Sequence, residues 1–400
     1  MGNIEMKKTI VLCALALFAI SGVAAQMTVS GLLDSTVSMS AGAGDAPAFS
    51  CGIEEYANLR IQARLRDKAV FYGAFNIIAA SGAYTPGLAA LGFNSSGENY
   101  IAGIELERLY FRLNGEHTDF DAGLMRLPFG YGQVWGSSDF LNPKNPLKPD
   151  ARPRAVLGAG LSWYPVDELK LLAWSAAPRN PLTQDSDGWL VGISMDQHWQ
   201  KASLQALYSY EMPKIGSEYG IHRAGLSVKA DLEVGLVMDA LYSYNHEAGT
   251  EWDGLSLGLG ADYSFFGGDL IVLAEYLYNG AASSTSKKGG GNFFNEHYLY
   301  TGFTWVFNSF TNMNIALISG IGDVSFTPLI SINYDLFQGA TLTFSAQVPL
   351  DRDLFHKDGN LGELGPIRPD YLQPKSPETG ELLGHFGSYF SCTVRLRLRF

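Results

Sequence analysis

Arginines at alternate positions are the residues of this sequence best suited to bind charged groups. They occur in segments where apolar and polar residues alternate, such as 58–66 and 393–400. A guanidinium stays charged and is tolerated in such a segment only where water or a counter-charge reaches it. Successive side chains of a strand point to opposite faces, so these arginines belong to one polar face. The set is Arg60, Arg64, Arg66, Arg108, Arg112, Arg395, Arg397 and Arg399.

A second candidate is the proline-rich, charged segment 127–155. Its five prolines restrict the backbone and remove hydrogen-bond donors. A stiff, charged segment that folds into a water-filled passage would set the width and charge of the narrowest part; a solvated surface loop is the alternative. The charged residues in and beside it are Arg126, Asp139, Lys144, Lys148, Asp150, Arg152 and Arg154.

Enzyme and metal motifs are weak. Residues 254–258 read Gly-Leu-Ser-Leu-Gly, which matches a nucleophile elbow, but that motif needs a sharp strand-to-helix turn. Here Ser256 lies inside an alternating segment. The histidines lack the spacing of zinc ligands. The sequence therefore predicts no enzyme and no cofactor, and a lipid hydrolase using Ser256 is only a minor alternative.

The first 25 residues have the pattern of a cleaved signal peptide. Lys7 and Lys8 precede an apolar run, and Val23-Ala24-Ala25 precedes Gln26. No later segment reaches the roughly 18 uncharged apolar residues of a helical membrane span. The formal net charge of −12 argues against nucleic-acid binding. Cys51 and Cys392 follow the signal peptide, and whether they pair is left open.

The elements that must position these residues are strands with one apolar and one polar face. Alternation is clear at 58–66, 255–262, 341–348 and 393–400. Short polar turns alternate along the chain with longer connections, as expected for a transmembrane β-barrel. We predict turns at 67–68, 116–118, 165–167, 199–200, 232–233, 266–268, 309–310 and 337–338. The longer connections are 40–52, 81–103, 127–155, 178–187, 211–220, 247–252, 281–293 and 350–383, with a short one near 320–324.

These connections predict an all-β fold over residues 26–400. It is a closed antiparallel barrel of about eighteen strands, with sixteen as the alternative and no room for an N-terminal plug domain. Tyrosine pairs such as Tyr208/Tyr210, together with Trp305 and Phe400, fall at strand ends on the apolar parity. That placement is typical of the aromatic girdles where a barrel meets the lipid boundary.

Two segments carry a resemblance to the bacterial outer-membrane porins. One is the final strand, which alternates and ends in Phe400; the other is residues 123–130 with Ser138-Asp139-Phe140. The resemblance implies that the final strand is read by the barrel-insertion machinery. It also implies that segment 127–155 folds into the lumen, and that copies assemble as a homotrimer. Sixteen strands are common in that family.

Together these patterns predict a passive channel in the outer membrane of a diderm bacterium. Outer-membrane lipid surrounds it, and small hydrophilic solutes pass through it. The arginines favour anions, opposed by inward acids such as Asp34, Asp262 and Asp335. The main alternative is a surface adhesin or structural anchor that uses the long outer loop 350–383.

Overall fold

The protein is described by a computed structural model that covers most of the chain after the predicted signal peptide. It describes residues 26–42, 49–66, 68–82, 95–97, 100–144, 146, 155–177, 188–213, 219–245, 254–280, 296–321, 325–348, 350 and 388–400. The predicted signal peptide 1–25 and nearly all of the loop 350–383 lie outside these residues.

Almost all of the described chain is β-strand. The strands are β1 Gln26–Gly42, β2 Phe49–Leu65, β3 Ala69–Gly82, β4 Ser95–Gly97, β5 Tyr100–Asn114, β6 Thr118–Met125, β7 Val156–Val166, β8 Leu169–Ala177, β9 Leu190–His198, β10 Ala202–Glu211, β11 Ile221–Asp231, β12 Gly235–Asn245, β13 Leu255–Phe265, β14 Leu270–Asn279, β15 His297–Asn308, β16 Thr311–Gly320, β17 Ser325–Phe337, β18 Ala340–Gln347 and β19 Ser388–Arg399. One 3-10 turn, Phe266–Gly268, joins β13 to β14.

The sheet closes on itself. Each long strand pairs antiparallel with its neighbours in the chain, and β1 pairs with both β2 and β19. The three-residue β4 pairs only with β5, while β3 pairs directly with β5. Eighteen strands therefore form the barrel wall, which confirms the predicted number and shows that the alternative of sixteen is wrong. The described residues form the barrel and its connections and include no separate plug.

The eight predicted short turns all join consecutive strands at one end of the barrel, which we call the turn end; the opposite end is the loop end. Strands at the loop end are longer than the sequence predicts. The β1–β2 ladder continues to the pair Ala41 and Phe49, and β5 begins at Tyr100. Residues assigned to loops 40–52 and 81–103 thus belong partly to strands, because pairing supports a segment whose own composition reads as a loop.

The outer surface is apolar, as the alternation predicts. Tyr208, Trp305 and Phe400 are all exposed on it near strand ends. Cys51 and Cys392 also face outward, each opposite Met39 on a different side of β1, and both are free thiols. A disulfide is therefore not part of the fold. Within the described ranges no helix is long and apolar enough to cross a membrane.

Candidate functional site

The connection that follows β6 turns into the barrel instead of projecting from it. Residues 126–144 run along the inward faces of β8–β16, which we call the loop wall. The first part packs on Trp174, Leu207 and Leu241, and the part around Trp135 packs on Tyr298 and Ile318. The segment therefore follows roughly half of the inner circumference as an arc.

Six consecutive backbone amides hold the tip of this arc. Gly130 donates to Gln205 Oε1 on β10 at 2.6 Å. Tyr131 and Gly132 donate to the two oxygens of Asp239 on β12, at 2.9 and 2.7 Å. The amides of Gln133, Val134 and Trp135 donate to Glu275 on β14, at 2.9, 3.1 and 2.8 Å. Both carboxylates are almost fully buried, and bonds from N–H groups to a charged acceptor are among the stronger ones.

Glycine allows the chain to approach these carboxylates. A Cβ on Gly132 would lie 2.8 Å from Asp239 Oδ2, and one on Gly130 would lie 2.6 Å from the same atom. Gly130 also has a φ of 79°, a conformation that side chains with a Cβ rarely adopt. Trp135 adds a bond from its indole Nε1 to the Glu275 carbonyl oxygen at 3.0 Å. The arc is thus fitted to the wall by shape and by hydrogen bonds.

The predicted charged residues of this segment have different places. Asp139 is buried, and its carboxylate accepts the Asn142 amide at 3.1 Å, so it caps the loop and does not line a passage. Lys144 donates from Nζ to the Gly132 carbonyl oxygen. Arg126 follows β6 and lies near Arg108, with burial lowering its pKa. Lys148, Asp150, Arg152 and Arg154 lie outside the described residues.

The predicted arginines lie together on the opposite side. Strand pairing places the inward faces of β19, β1, β2, β3 and β5 side by side, and we call this surface the arginine wall. Arg395, Arg397 and Arg399 come from β19, Arg60 and Arg64 from β2, and Arg108 and Arg112 from β5. Arg66 lies in the turn after β2, with a φ of 49°. Most of them lie toward the turn end of their strands.

Several of these arginines have carboxylate partners on their own strand or on the neighbouring one. Arg397 forms two bonds of 2.7 Å with Asp34, and Arg112 forms bonds of 2.6 and 3.0 Å with Asp121. Arg108 is 3.4 Å from Glu107. Arg60 donates from Nε to Asn58 Oδ1 at 2.7 Å, a neutral partner. The wall is therefore a polar network whose positive charge is only partly compensated.

Sequence reasoning missed the residues that hold the loop. Asp239, Glu275 and Gln205 were not singled out, although each lies on the inward parity of a strand. Of the acids that were, Asp34 pairs with Arg397, Asp262 accepts the Gln133 side-chain amide at 3.1 Å, and Asp335 accepts the Thr341 hydroxyl at 2.7 Å. A local pattern could have identified inward acids, but not their partners far along the chain.

Neither an elbow nor a metal centre appears in the part of the chain that the structure describes. Ser256 lies within β13, opposite Leu241 and Asn279, and no strand-to-helix turn is present there. The described residues contain no group of three or more His, Cys, Asp or Glu side chains arranged for a metal ion.

Comparison with known proteins gives structural neighbours only. No family model matches the sequence, and no curated protein matches it. OccAB4 of Acinetobacter baumannii has 12% identity and a TM-score of 0.57. The outer membrane protein opdK of Pseudomonas aeruginosa has 8% identity and a TM-score of 0.55. A BenF-like porin of Pseudomonas fluorescens Pf-5 has 8% identity and a TM-score of 0.55. Each alignment covers 94% of this chain and 98% of the other. The chain therefore has the eighteen-strand barrel fold of bacterial outer-membrane porins.

Proposed function

We propose that this protein is a passive outer-membrane channel for small hydrophilic solutes, with a preference for anions. One observation carries the proposal. The described residues of the inward loop are bound along the loop wall, and the arginine wall lies in the part of the barrel that they leave uncovered. Solutes then pass between the loop and the arginines, and the charge lining a pore selects ions by sign. Diffusion through it needs no cofactor.

The charges of the arginine wall are ordered along the strands. On β2, Glu54 lies nearer the loop end, while Arg60 and Arg64 lie nearer the turn end. On β5, Glu105 likewise precedes Arg108 and Arg112. We infer that the basic part, toward the turn end, sets ion preference, because Arg60 has a neutral partner and other arginines there outnumber their carboxylates.

Planar-bilayer recording of the refolded protein in a salt gradient tests this function. Wild type should give discrete steps with an anion-selective reversal potential. Arg60→Glu and Arg395→Glu should each shift that potential toward cation preference. Lys201→Glu makes the same charge change in the turn between β9 and β10, away from the arginine wall, and should shift it least.

Other results would favour the alternatives. Steps without a shift in either arginine variant would contradict the role of the arginine wall. Absence of steps after repeated insertions of folded protein would contradict a channel and favour an adhesin or anchor. Deleting residues 355–380 would then test the adhesin alternative, because adhesion should be lost while the barrel still folds.

We further propose that the chain is exported through its predicted signal peptide and that its last strand acts in insertion. Phe400 and Gly31 exchange backbone bonds of 2.8 and 3.1 Å, so the final residue closes the barrel onto β1. A Cβ on Gly31 would meet the Phe400 ring at 2.6 Å. The predicted insertion signal is thus also the closing strand. Assembly as a homotrimer stays a prediction.

A further inference from the structure

Asp239 and Glu275 are acids inside the barrel that a solute cannot reach. They are 1% and 2% exposed. Among the described residues neither has an ion-pair partner, and their charge is met instead by five backbone amides of residues 131–135. They come from two strands, β12 and β14, and bind neighbouring amides of one loop segment. We call these two carboxylates, together with the amides of residues 131–135 that they accept, the latch between the loop and the loop wall.

We propose that this two-carboxylate latch determines the anion preference of the channel. The inference rests on the proposed function and deepens it. With residues 126–144 held on the loop wall, the arginine wall lies on the side of the lumen that they leave uncovered. A released loop leaves that position, and the passage then widens away from the arginines. It also uncovers the acids behind it, among them Asp239 and Asp262.

The proposal makes a prediction opposite to that of simple electrostatics. Removing a negative charge from a lumen should raise anion preference if the charge acts only through its field. Glu275→Gln should instead lower it. One of the two oxygens becomes an NH2 group that faces N–H donors of residues 133–135, so bonds to a charged acceptor are lost. The released population of the loop should rise roughly tenfold.

Asp335→Asn is the matched control. Asp335 faces inward on β17, is exposed, and accepts the Thr341 hydroxyl. Its substitution therefore removes the same negative charge without changing a contact of loop residues 126–144. Its anion preference should stay equal or rise. Gly132→Ala is the second test, because its Cβ would press on Asp239 at 2.8 Å with no change of charge. It should lower anion preference as Glu275→Gln does.

A spin label provides a readout that does not depend on conduction. In a background with Cys51→Ser and Cys392→Ser, the label is attached at Gln133→Cys, whose side chain is exposed in the lumen. Folding is checked by heat-modifiable electrophoretic mobility. The label should be immobile in the otherwise unchanged barrel and in Asp335→Asn. It should be mobile in Glu275→Gln and Gly132→Ala.

Each result decides the proposal. Lower anion preference together with a mobile label in both latch variants supports it. A rise in anion preference in Glu275→Gln like that of Asp335→Asn, with an immobile label, overturns it. If the unmodified channel shows no anion preference, the proposed selectivity fails, and a mobile label in the latch variants still supports the carboxylates as the groups that hold the loop.

Discussion

Charged side chains are compensated by different groups on the loop wall and on the arginine wall. On the loop wall, the charge of Asp239 and Glu275 is met by backbone amides, and Glu275 lies beside the apolar cluster that includes Trp135, Leu277 and Tyr298. On the arginine wall, charges are met by side chains of the wall itself, such as Asp34 with Arg397. The first arrangement binds another part of the chain and needs no water. The second keeps its charged groups beside an open lumen.

The difference shows how one barrel can provide both a rigid support and a charged path. Amides of a bound loop have fixed directions, so carboxylates that accept them fix the position of the loop. Side-chain pairs along a wall leave part of each guanidinium toward the lumen. The following predictions test whether stability lies mainly in the loop wall and charge mainly in the arginine wall.

The largest loss of stability is expected on the loop wall, at Trp174. The centroid of its ring lies 5.4 Å from that of Phe129 and 6.2 Å from that of Phe140. Gly192 lacks the Cβ that would overlap this ring. Trp174→Ala should lower the free energy of unfolding by about 3–5 kcal/mol, the usual loss for a buried aromatic side chain. Urea titration of the barrel in phospholipid vesicles measures it. Trp163→Ala, at an outward position, should cost less; equal losses would contradict a packed loop wall.

A smaller loss of stability is expected in the arginine wall where β19 pairs with β1. Asp34→Asn leaves Arg397 without its carboxylate and should lower the free energy of unfolding by about 3 kcal/mol. The double variant Asp34→Asn, Arg397→Met removes both charges and should lose less than the single one, because no unpaired charge remains. The same urea titration tests both. Arg397→Met alone completes the comparison, and a double variant that loses as much as Asp34→Asn and Arg397→Met together would contradict the pairing.

The most local effect concerns pH and the cap of the loop. Asp139 lies in the loop, outside the strands, and burial raises its pKa to about 7. Hydrogen bonds from the backbone amides of Asn142 and Phe129 lower the pKa but do not offset the effect of burial. The folded state therefore binds a proton that the unfolded chain has released above its ordinary pKa of 3.8. The loop should lose stability as pH rises from about 4 through 7.

Hydrogen exchange of residues 139–142 at pH 5 and pH 8, corrected for intrinsic rates, measures this change. Protection should be higher at pH 5, and Asp139→Asn should make it nearly independent of pH. Higher protection at pH 8 in the unchanged protein would show that the carboxylate is charged in the folded loop.

Much of the barrel could be predicted because its rules are local. Alternation in 58–66 and 393–400 identified the faces of β2 and β19, and the eight short turns gave the strand number. The loop ends of β2 and β5 could not be placed, because Ser50 and Tyr100 join strands only through pairing with a neighbour.

Local parity also failed at Glu107. Alternation puts Arg108 inward and Glu107 outward, but a bulge between β3 and β5 shifts the register there. Glu107 then accepts from the inward Asn58 at 2.7 Å. One extra residue thus adds a carboxylate to the arginine wall that the sequence pattern assigns to lipid.

The sequence by itself determined most of the strands and, away from the bulge in β5, their two faces, because side-chain direction in a regular strand follows position along the chain. The tertiary structure alone decided what holds the loop. The amide of Trp135 meets Glu275 across 140 residues, and that of Tyr131 meets Asp239 across 108. Such contacts exist only once the barrel has closed at a fixed radius, which no local pattern of residues encodes.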